Sequence, residues 1–490
     1  MALSKEKLIQ LHKDIEKIAL DYDLTFDPVI FKICDYDTIN MLASRGGFPK
    51  RYPHWSFGMS YDRQYKTYKH GLGVIYEMVI NTNPCYAYLL DSNEELIQKM
   101  VIAHVFGHAD FFKNNYWFTL TDKNMMNVMA NHAIKIKRYS DRYGVDRVEE
   151  FIDIISSLDN LIDKKYLFKT NKNKQKVDDS KKEESLISHS SSVKSYMINK
   201  KMRQSKSIVE EESLSEKIVE KFDSRKDVLL FLMKNAPLEL WQQDIIDMLR
   251  KEALYYLPQG MTKIMNEGWA TLFHSRMLTE KILDSSEIVD FANIHAGVTA
   301  MGQSLNPYKL GLEIWRDLIV RYNKGWHGKA YNECSNIEAK KDWDTKAGKG
   351  LEKIFQVRKT HNDVTFIDDF FTKEFCERNK MFVTHYNQIG GNYIIDDETF
   401  NNIKTGLLGQ LENAGSPDIR IETANHFNSS ELYLKHYHVG HDLKVSEAEG
   451  TIKNIYKIWK RTVHLELEVD GDKGIISFNG DNIVRTGLGE

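Results

Sequence analysis

Residues 95–114, ELIQKMVIAHVFGHADFFKN, carry apolar side chains on nearly every side of a helix. A helix that is apolar all round has to be enclosed by other protein elements. Into this buried rod the sequence places two imidazoles, His104 and His108, and a carboxylate, Asp110. Histidines at i and i+4 share one side of a helix and stand close enough to hold one ion. Buried polar groups need partners. The segment therefore asks for a helical body around it and for polar groups from that body.

The chain can supply such a body. Its 490 residues exceed one ordinary core, so two or three domains are expected, and 42% of them are hydrophobic. A Ser cap and Leu8, Leu11, Ile15 and Ile18 at helical spacing predict an amphipathic helix over 4–22. Residues 45–70, rich in Arg, Tyr, Trp, His and Gly, read as an irregular aromatic path, either a loop packed on the core or the wall of a pocket. GVIYEMVINTNPCYAYLL is a mixed strand-like and helical run interrupted by Pro84. Ser92 and Glu95 form a capping-box pattern before the buried helix. A helix over roughly 122–143 carries Met125, Val128, Met129, His132 and Ile136 on one face, with Gly144 as its C-cap.

Residues 169–215 are dominated by Lys, Ser, Asn and Glu and read as a flexible insertion. Helical patterns resume near 216, and Pro258-Gln259-Gly260 predicts a break before a helix containing Asn266-Glu267-Gly268-Trp269. Asn306-Pro307 opens another helix that ends at Gly325. Past about 350 the pattern turns to short strands, and Asp470-Gly471 sits where a hairpin turn belongs. The fold class expected is α+β: a predominantly α-helical body and a smaller C-terminal α/β domain with a few strands, distantly zincin-like around the HxxxH helix. The domains expected are 1–168, the insertion 169–215, a second helical part 216–345 completing the core of the first, and 346–490.

Composition narrows the function classes. With 67 basic and 70 acidic residues, the formal charge of −3 gives no broad nucleic-acid-binding face. Four scattered cysteines, Cys34, Cys85, Cys334 and Cys376, make neither a disulfide framework nor a zinc knuckle. The N-terminus lacks a signal peptide's apolar core and no stretch is long enough for a membrane span, so a cytoplasmic protein is expected. No P-loop, dinucleotide fingerprint or G-x-S-x-G elbow is present, so no nucleotide cofactor is expected.

For the histidine pair, the cofactor expected is one divalent metal, zinc foremost. Glu267 is the expected third ligand, because a carboxylate inside an apolar helix is costly unless bound to a cation or otherwise paired. His274 shares roughly its face, and Asn266 and His132 are further candidates for supporting or alternative ligands. HxxxH followed by a later Glu resembles the zinc site of gluzincin metallopeptidases, except that Val105 stands where their HExxH glutamate activates water. Another base would have to replace it, and Glu77 and Asp110 are the candidates. A ferritin-like di-metal bundle is disfavoured because the chain contains no E-x-x-H. His436, His438 and His441 form a second cluster, with the first two expected on one strand face.

The segments YPHWSFGMSYD, HGLGVIYEMVINTNPCYAYLL, AHVFGHADFFKNN, MANHA, NEGWATLFH, NPYKLGLEIWRDL and YLKHYHVGHDL, in this order from about 52 to 445, resemble the SpoVR (stage V sporulation protein R) family. The resemblance implies a cytoplasmic bacterial protein connected with spore formation and its peptidoglycan cortex, or with stress in bacteria that do not sporulate. It further implies a PrkA-type serine kinase and a YhbH-type protein as partners. The shared motifs contain His104, His108, His132 and Glu267. Two functions follow: a metal-dependent hydrolase-like protein acting on an amide bond, or a non-catalytic regulator working with those partners.

Overall fold

The computed structural model describes residues 4–69, 77–166, 225–300, 305–336, 339–340, 342–382, 385–387, 392–438 and 441–487. The Lys/Ser-rich segment 169–215 lies outside them. The chain forms two compact units, one of residues 1–137 and 258–414, the other of 138–257 and 415–490.

The first unit begins with α1 (Lys5–Asp21), β1 (Val29–Cys34), α2 (Tyr36–Ser44) and α3 (Trp55–Lys69). The Ser4 side chain accepts the Lys7 N–H and caps α1 as its pattern predicts. Residues 45–54 are irregular, but from Trp55 onward the expected irregular path is helix α3. β2 (Glu77–Ile80) and β3 (Cys85–Leu90) flank Pro84; β3 runs parallel to β1 and antiparallel to β2 in a three-stranded sheet.

The buried rod is α4 (Glu95–Asn114). Its N-cap is Glu94, which makes no side-chain capping bond, so Ser92 falls too early for the expected capping box. α5 (Met125–Tyr143) follows, with Met125, Met129, His132 and Ile136 buried. The unit continues with α9 (Lys263–Met277), α10 (Ile288–Val298), α11 (Pro307–Lys324), α12 (Lys329–Asn332), α13 (Gly350–Thr360), α14 (Asp363–Phe370), α15 (Lys373–Asn379), the short pair β4 (His385–Asn387) and β5 (Asn392–Ile394), and α16 (Asp397–Leu411). Asn306 caps α11 and Gly325 closes it in the left-handed conformation.

The C-terminal boundary differs from the one expected near 345. Residues 350–376 carry Ile354, Val357, Phe366, Ile367, Phe371 and Phe375, all fully buried, into the same core as Phe106, Trp269 and Trp315. Hydrophobic burial therefore assigns these helices to the first unit.

Within that core, α9 lies against α4 and α11 at backbone distance. A Cβ on Gly107 of α4 would stand 2.6 Å from Ala270 Cα. One on Gly268 would stand 2.5 Å from Gly311 Cα, and one on Gly311 would stand 2.9 Å from Gly268 Cα. Polar bonds lock the contact. Asp110 of α4 receives Trp269 Nε1–H at 2.9 Å and the Arg358 guanidinium. Trp315 Nε1 of α11 donates to the Met265 carbonyl at 3.1 Å. Asp363 accepts the N–H groups of Ile264 and Met265 at 2.8 and 2.9 Å, satisfying the start of α9 where Thr262 provides no side-chain cap.

In the second unit, α6 (Val145–Ser156), α7 (Val228–Asn235), α8 (Leu240–Met261, whose end belongs to the first unit) and α17 (Val445–Trp459) accompany a sheet ordered β10-β9-β8-β7-β6. Its strands are β6 (Ile419–His426), β7 (Glu431–His436), β8 (Val463–Val469), β9 (Asp472–Phe478) and β10 (Ile483–Thr486). β7 and β8 are parallel, joined through α17, and the other pairs are antiparallel. The turn at Asp470-Gly471, both at positive φ, closes the β8–β9 hairpin as expected. α8 runs through Pro258 to Met261, where a break was expected at the proline. Pro258 lies in the last turn, where its carbonyl accepts the Thr262 hydroxyl at 2.7 Å. Bidentate Arg250–Asp227 bonds are buried in this unit.

The close helix contacts give a direct expectation. Gly268→Ala and Gly311→Ala each lower unfolding free energy by about 1–3 kcal/mol through overpacking. Gly406→Ala, in a helix with nothing near the added methyl, raises it by about 0.5–1 kcal/mol. Urea unfolding of the three variants checks this.

Candidate metal centre

His104 and His108 leave α4 on one side, one turn apart, their ring centroids 4.5 Å from each other. Glu267 comes from the neighbouring α9. Its Oε2 lies 3.6 Å from His104 Nε2 and 3.5 Å from His108 Nε2. These separations exceed a good N–H···O bond. They match two ligands each about 2.0–2.2 Å from a shared tetrahedral ion, which stand about 3.4 Å apart. Glu267 Oε2 is buried and has no hydrogen-bond partner, whereas carboxylate oxygens in such places are normally satisfied. The three side chains are the one group of three or more metal-competent residues that converges among the described residues.

The groups behind the imidazoles set which nitrogen faces the centre. His108 Nδ1 donates to Asn266 Oδ1 at 3.0 Å, leaving the Nε2 lone pair directed toward Glu267. His104 Nδ1 lies 2.8 Å from His274 Nδ1, and His274 Nε2 lies 3.4 Å from His295 Nδ1. In the ligating tautomer His104 donates to His274, which in turn donates toward His295. Tyr308 at the start of α11 hydrogen-bonds the Glu267 carboxylate.

Electrostatics suit a cation. Burial pushes His108 down to about 4, helped by the charge of His104, so its ring is neutral near pH 7. Burial and the neighbouring His104 hold His274 well below the usual imidazole value. For Glu267, burial acts upward, but the neighbouring His108 and His104 rings and the Tyr308 hydroxyl outweigh it and hold it below the ordinary value. A carboxylate and neutral imidazole donors form the nitrogen–oxygen set that zinc accepts.

The structure gathers His104, His108, Glu267, Asn266 and His274 in one place. It does not bring Asp110 there. Two residues beyond His108, Asp110 points to the far side of α4, where Trp269, Arg358 and the Thr25 N–H occupy its oxygens. The general-base assignment of Asp110 is therefore corrected: it is a buried ion-pair partner, and removing one member of such a pair costs about 3–5 kcal/mol. His132 is buried on the core face of α5 and is not among the converging ligands. Glu77 opens β2 opposite Leu89, and its side chain lies outside the described residues. His436 ends β7 with its ring buried, and His438, beyond the strand, bonds Asp442 at 2.7 Å; the expected shared face stops with the strand. Sequence reasoning missed Tyr308 and His295. Tyr308 follows the Asn-Pro start of α11, and that helix-start pattern was its only signal.

If Asn266 orients His108, Asn266→Ala weakens zinc binding by about 10–100-fold. Asn266→Asp, which keeps an acceptor at the same reach, retains it. Competition with a chromogenic zinc chelator reads both.

Comparison with known proteins places these residues in a family. Residues 3–416 match the family described as SpoVR like protein, and residues 417–470 match the SpoVR-like C-terminal domain. The chain is 29% identical over 482 residues to "Uncharacterized protein YcgB" of Escherichia coli (strain K12), an alignment covering 92% of this chain and 90% of the relative. No solved structure matches. With the family match spanning His104, His108 and Glu267 and continuing into the C-terminal sheet, the chain belongs to the SpoVR family.

Proposed function

We propose that this protein is a metal-dependent hydrolase that holds one divalent cation, zinc by preference, between His104, His108 and Glu267 and acts on an amide bond. The observation that carries this reading is the unsatisfied Glu267 Oε2 at 3.5–3.6 Å from two imidazole nitrogens. Bound there, zinc supplies Lewis acidity toward a carbonyl oxygen.

The residues divide the remaining work. Asn266 and His274 hold the two rings with Nε2 turned inward. Tyr308, through its hydroxyl, orients Glu267. Enclosure of α4 in the core limits water behind the ligands. Glu77 is our proposed base, since Val105 fills the usual glutamate position and Asp110 is committed elsewhere. We place the reaction in the cytoplasm, on a peptide or cell-wall precursor used in spore formation, alongside a PrkA-type kinase and a YhbH-type protein. No helix among the described residues is long and apolar enough to cross a membrane.

Val105 also favours a second reading, a non-catalytic regulator that uses the metal for structure and works through those two partners. One comparison separates the cases. Elemental analysis of protein purified without an affinity metal is expected to give about one zinc per chain, absent from His104→Ala/His108→Ala. Metal in the wild type, with amide hydrolysis lost in Glu77→Gln, supports the enzyme. Metal retained, with no turnover and an intact partner complex, supports the regulator. No metal in folded wild type overturns both metal-based readings.

A further inference from the structure

The outer face of the second unit's sheet carries a constellation unrelated to the metal centre. Along β7 and most of β8 buried and half-buried residues alternate, so Leu432, Leu434, Val463 and Leu465 turn inward. Glu431, His464 and, on β9, Ser477 turn the other way, one from each of three adjacent strands. His464 and Ser477 are directly paired in register. The Ser477 hydroxyl lies 2.7 Å from His464 Nδ1, and His464 Nε2 lies 2.8 Å from Glu431 Oε2.

With the His464 ring neutral, the partners set the proton positions. An ionised glutamate only accepts, so His464 Nε2 carries the hydrogen and Nδ1 offers its lone pair. Ser477 must then donate its hydroxyl hydrogen to Nδ1. A hydroxyl on an imidazole lone pair, with the imidazole oriented by a carboxylate, is the polarity a nucleophilic serine requires. All three side chains are partly exposed. Beside them stand His426, its ring 5.1 Å from His464 and 4.5 Å from Tyr433, and Phe427, 77% exposed at the β6–β7 turn.

We propose that Ser477, His464 and Glu431 form a second, metal-independent site at which Ser477 accepts an acyl group from an activated ester. Ser477 Oγ bonds to the acyl carbon as its proton moves to His464 Nδ1, and Glu431 stabilises the imidazolium at Nε2–H. The ester C–O bond breaks, and the leaving oxygen takes the proton from Nδ1. Water then attacks the acyl-serine by the same route, releasing the acid and restoring Ser477. β9 is hydrogen-bonded to strands on both sides, which leaves no pair of free backbone N–H groups for an oxyanion. That restricts the site to esters with good leaving groups, in contrast to the amide proposed at the metal centre. Phe427 and His426 provide an apolar rest for an acyl or aryl arm.

The test uses the full chain in the presence of a zinc chelator, with a fluorophosphonate probe and mass spectrometry. Ser477 is expected to be labelled; Ser477→Ala and His464→Phe abolish labelling, and Glu431→Gln slows it at least tenfold while the melting temperature holds. Ser477→Cys supplies a check that does not depend on the acyl group: its alkylation by iodoacetamide at pH 7 is expected to exceed that of Ser477→Cys/His464→Phe at least tenfold. No labelling of Ser477 together with equal alkylation of the two cysteine variants overturns the proposal. Labelling that is indifferent to His464 and Glu431 in folded protein overturns it as well.

Discussion

Backbone-to-backbone contact among α4, α9 and α11 is the constraint on which the first unit depends. Gly107 against Ala270, and Gly268 against Gly311, remove the side chains that would hold the helices at ordinary spacing. This proximity brings a carboxylate on α9 within 3.6 Å of imidazoles on α4, residues separated by more than 150 positions in the chain. The Asp110–Trp269–Arg358 bonds fix how far one helix slides along the other. Two faces of α4 thus do different things: one sets position, the other presents the two imidazoles to Glu267.

Burial has a second consequence. Desolvation keeps His108 neutral, which is the form a metal requires, and the same desolvation makes an unpartnered Glu267 oxygen expensive. A cation held between the three donors, as proposed, would relieve that cost. The groups behind each ring, Asn266 and His274, leave the two Nε2 atoms facing Glu267.

Much of this was legible in the sequence because it rests on local spacing. Histidines four apart in an apolar run, a carboxylate in a second apolar run, and Asn266 and His274 near it are all visible without coordinates. The Asp-Gly hairpin and the Asn-Pro helix start likewise follow from local backbone preferences. What was not legible depends on which surfaces meet. The sequence shows Asp110 two residues from His108; only the packing shows that a 100° rotation per residue carries it to Arg358. The boundary near 345 failed for the same reason, since Phe366 and Phe375 are apolar wherever they dock. Ser477, His464 and Glu431 come from three strands, and no spacing rule anticipates their meeting.

The central claim is that close packing of α4 on α9 builds a nitrogen–nitrogen–oxygen metal centre. X-ray absorption at the zinc edge of the purified, zinc-loaded protein tests it most directly. The account predicts a shell of nitrogen and oxygen at about 2.0–2.2 Å with outer-shell scattering from two imidazoles and no sulfur. Sulfur ligands at about 2.3 Å, or a shell lacking imidazole, would contradict it, because the cation would then lie away from His104, His108 and Glu267.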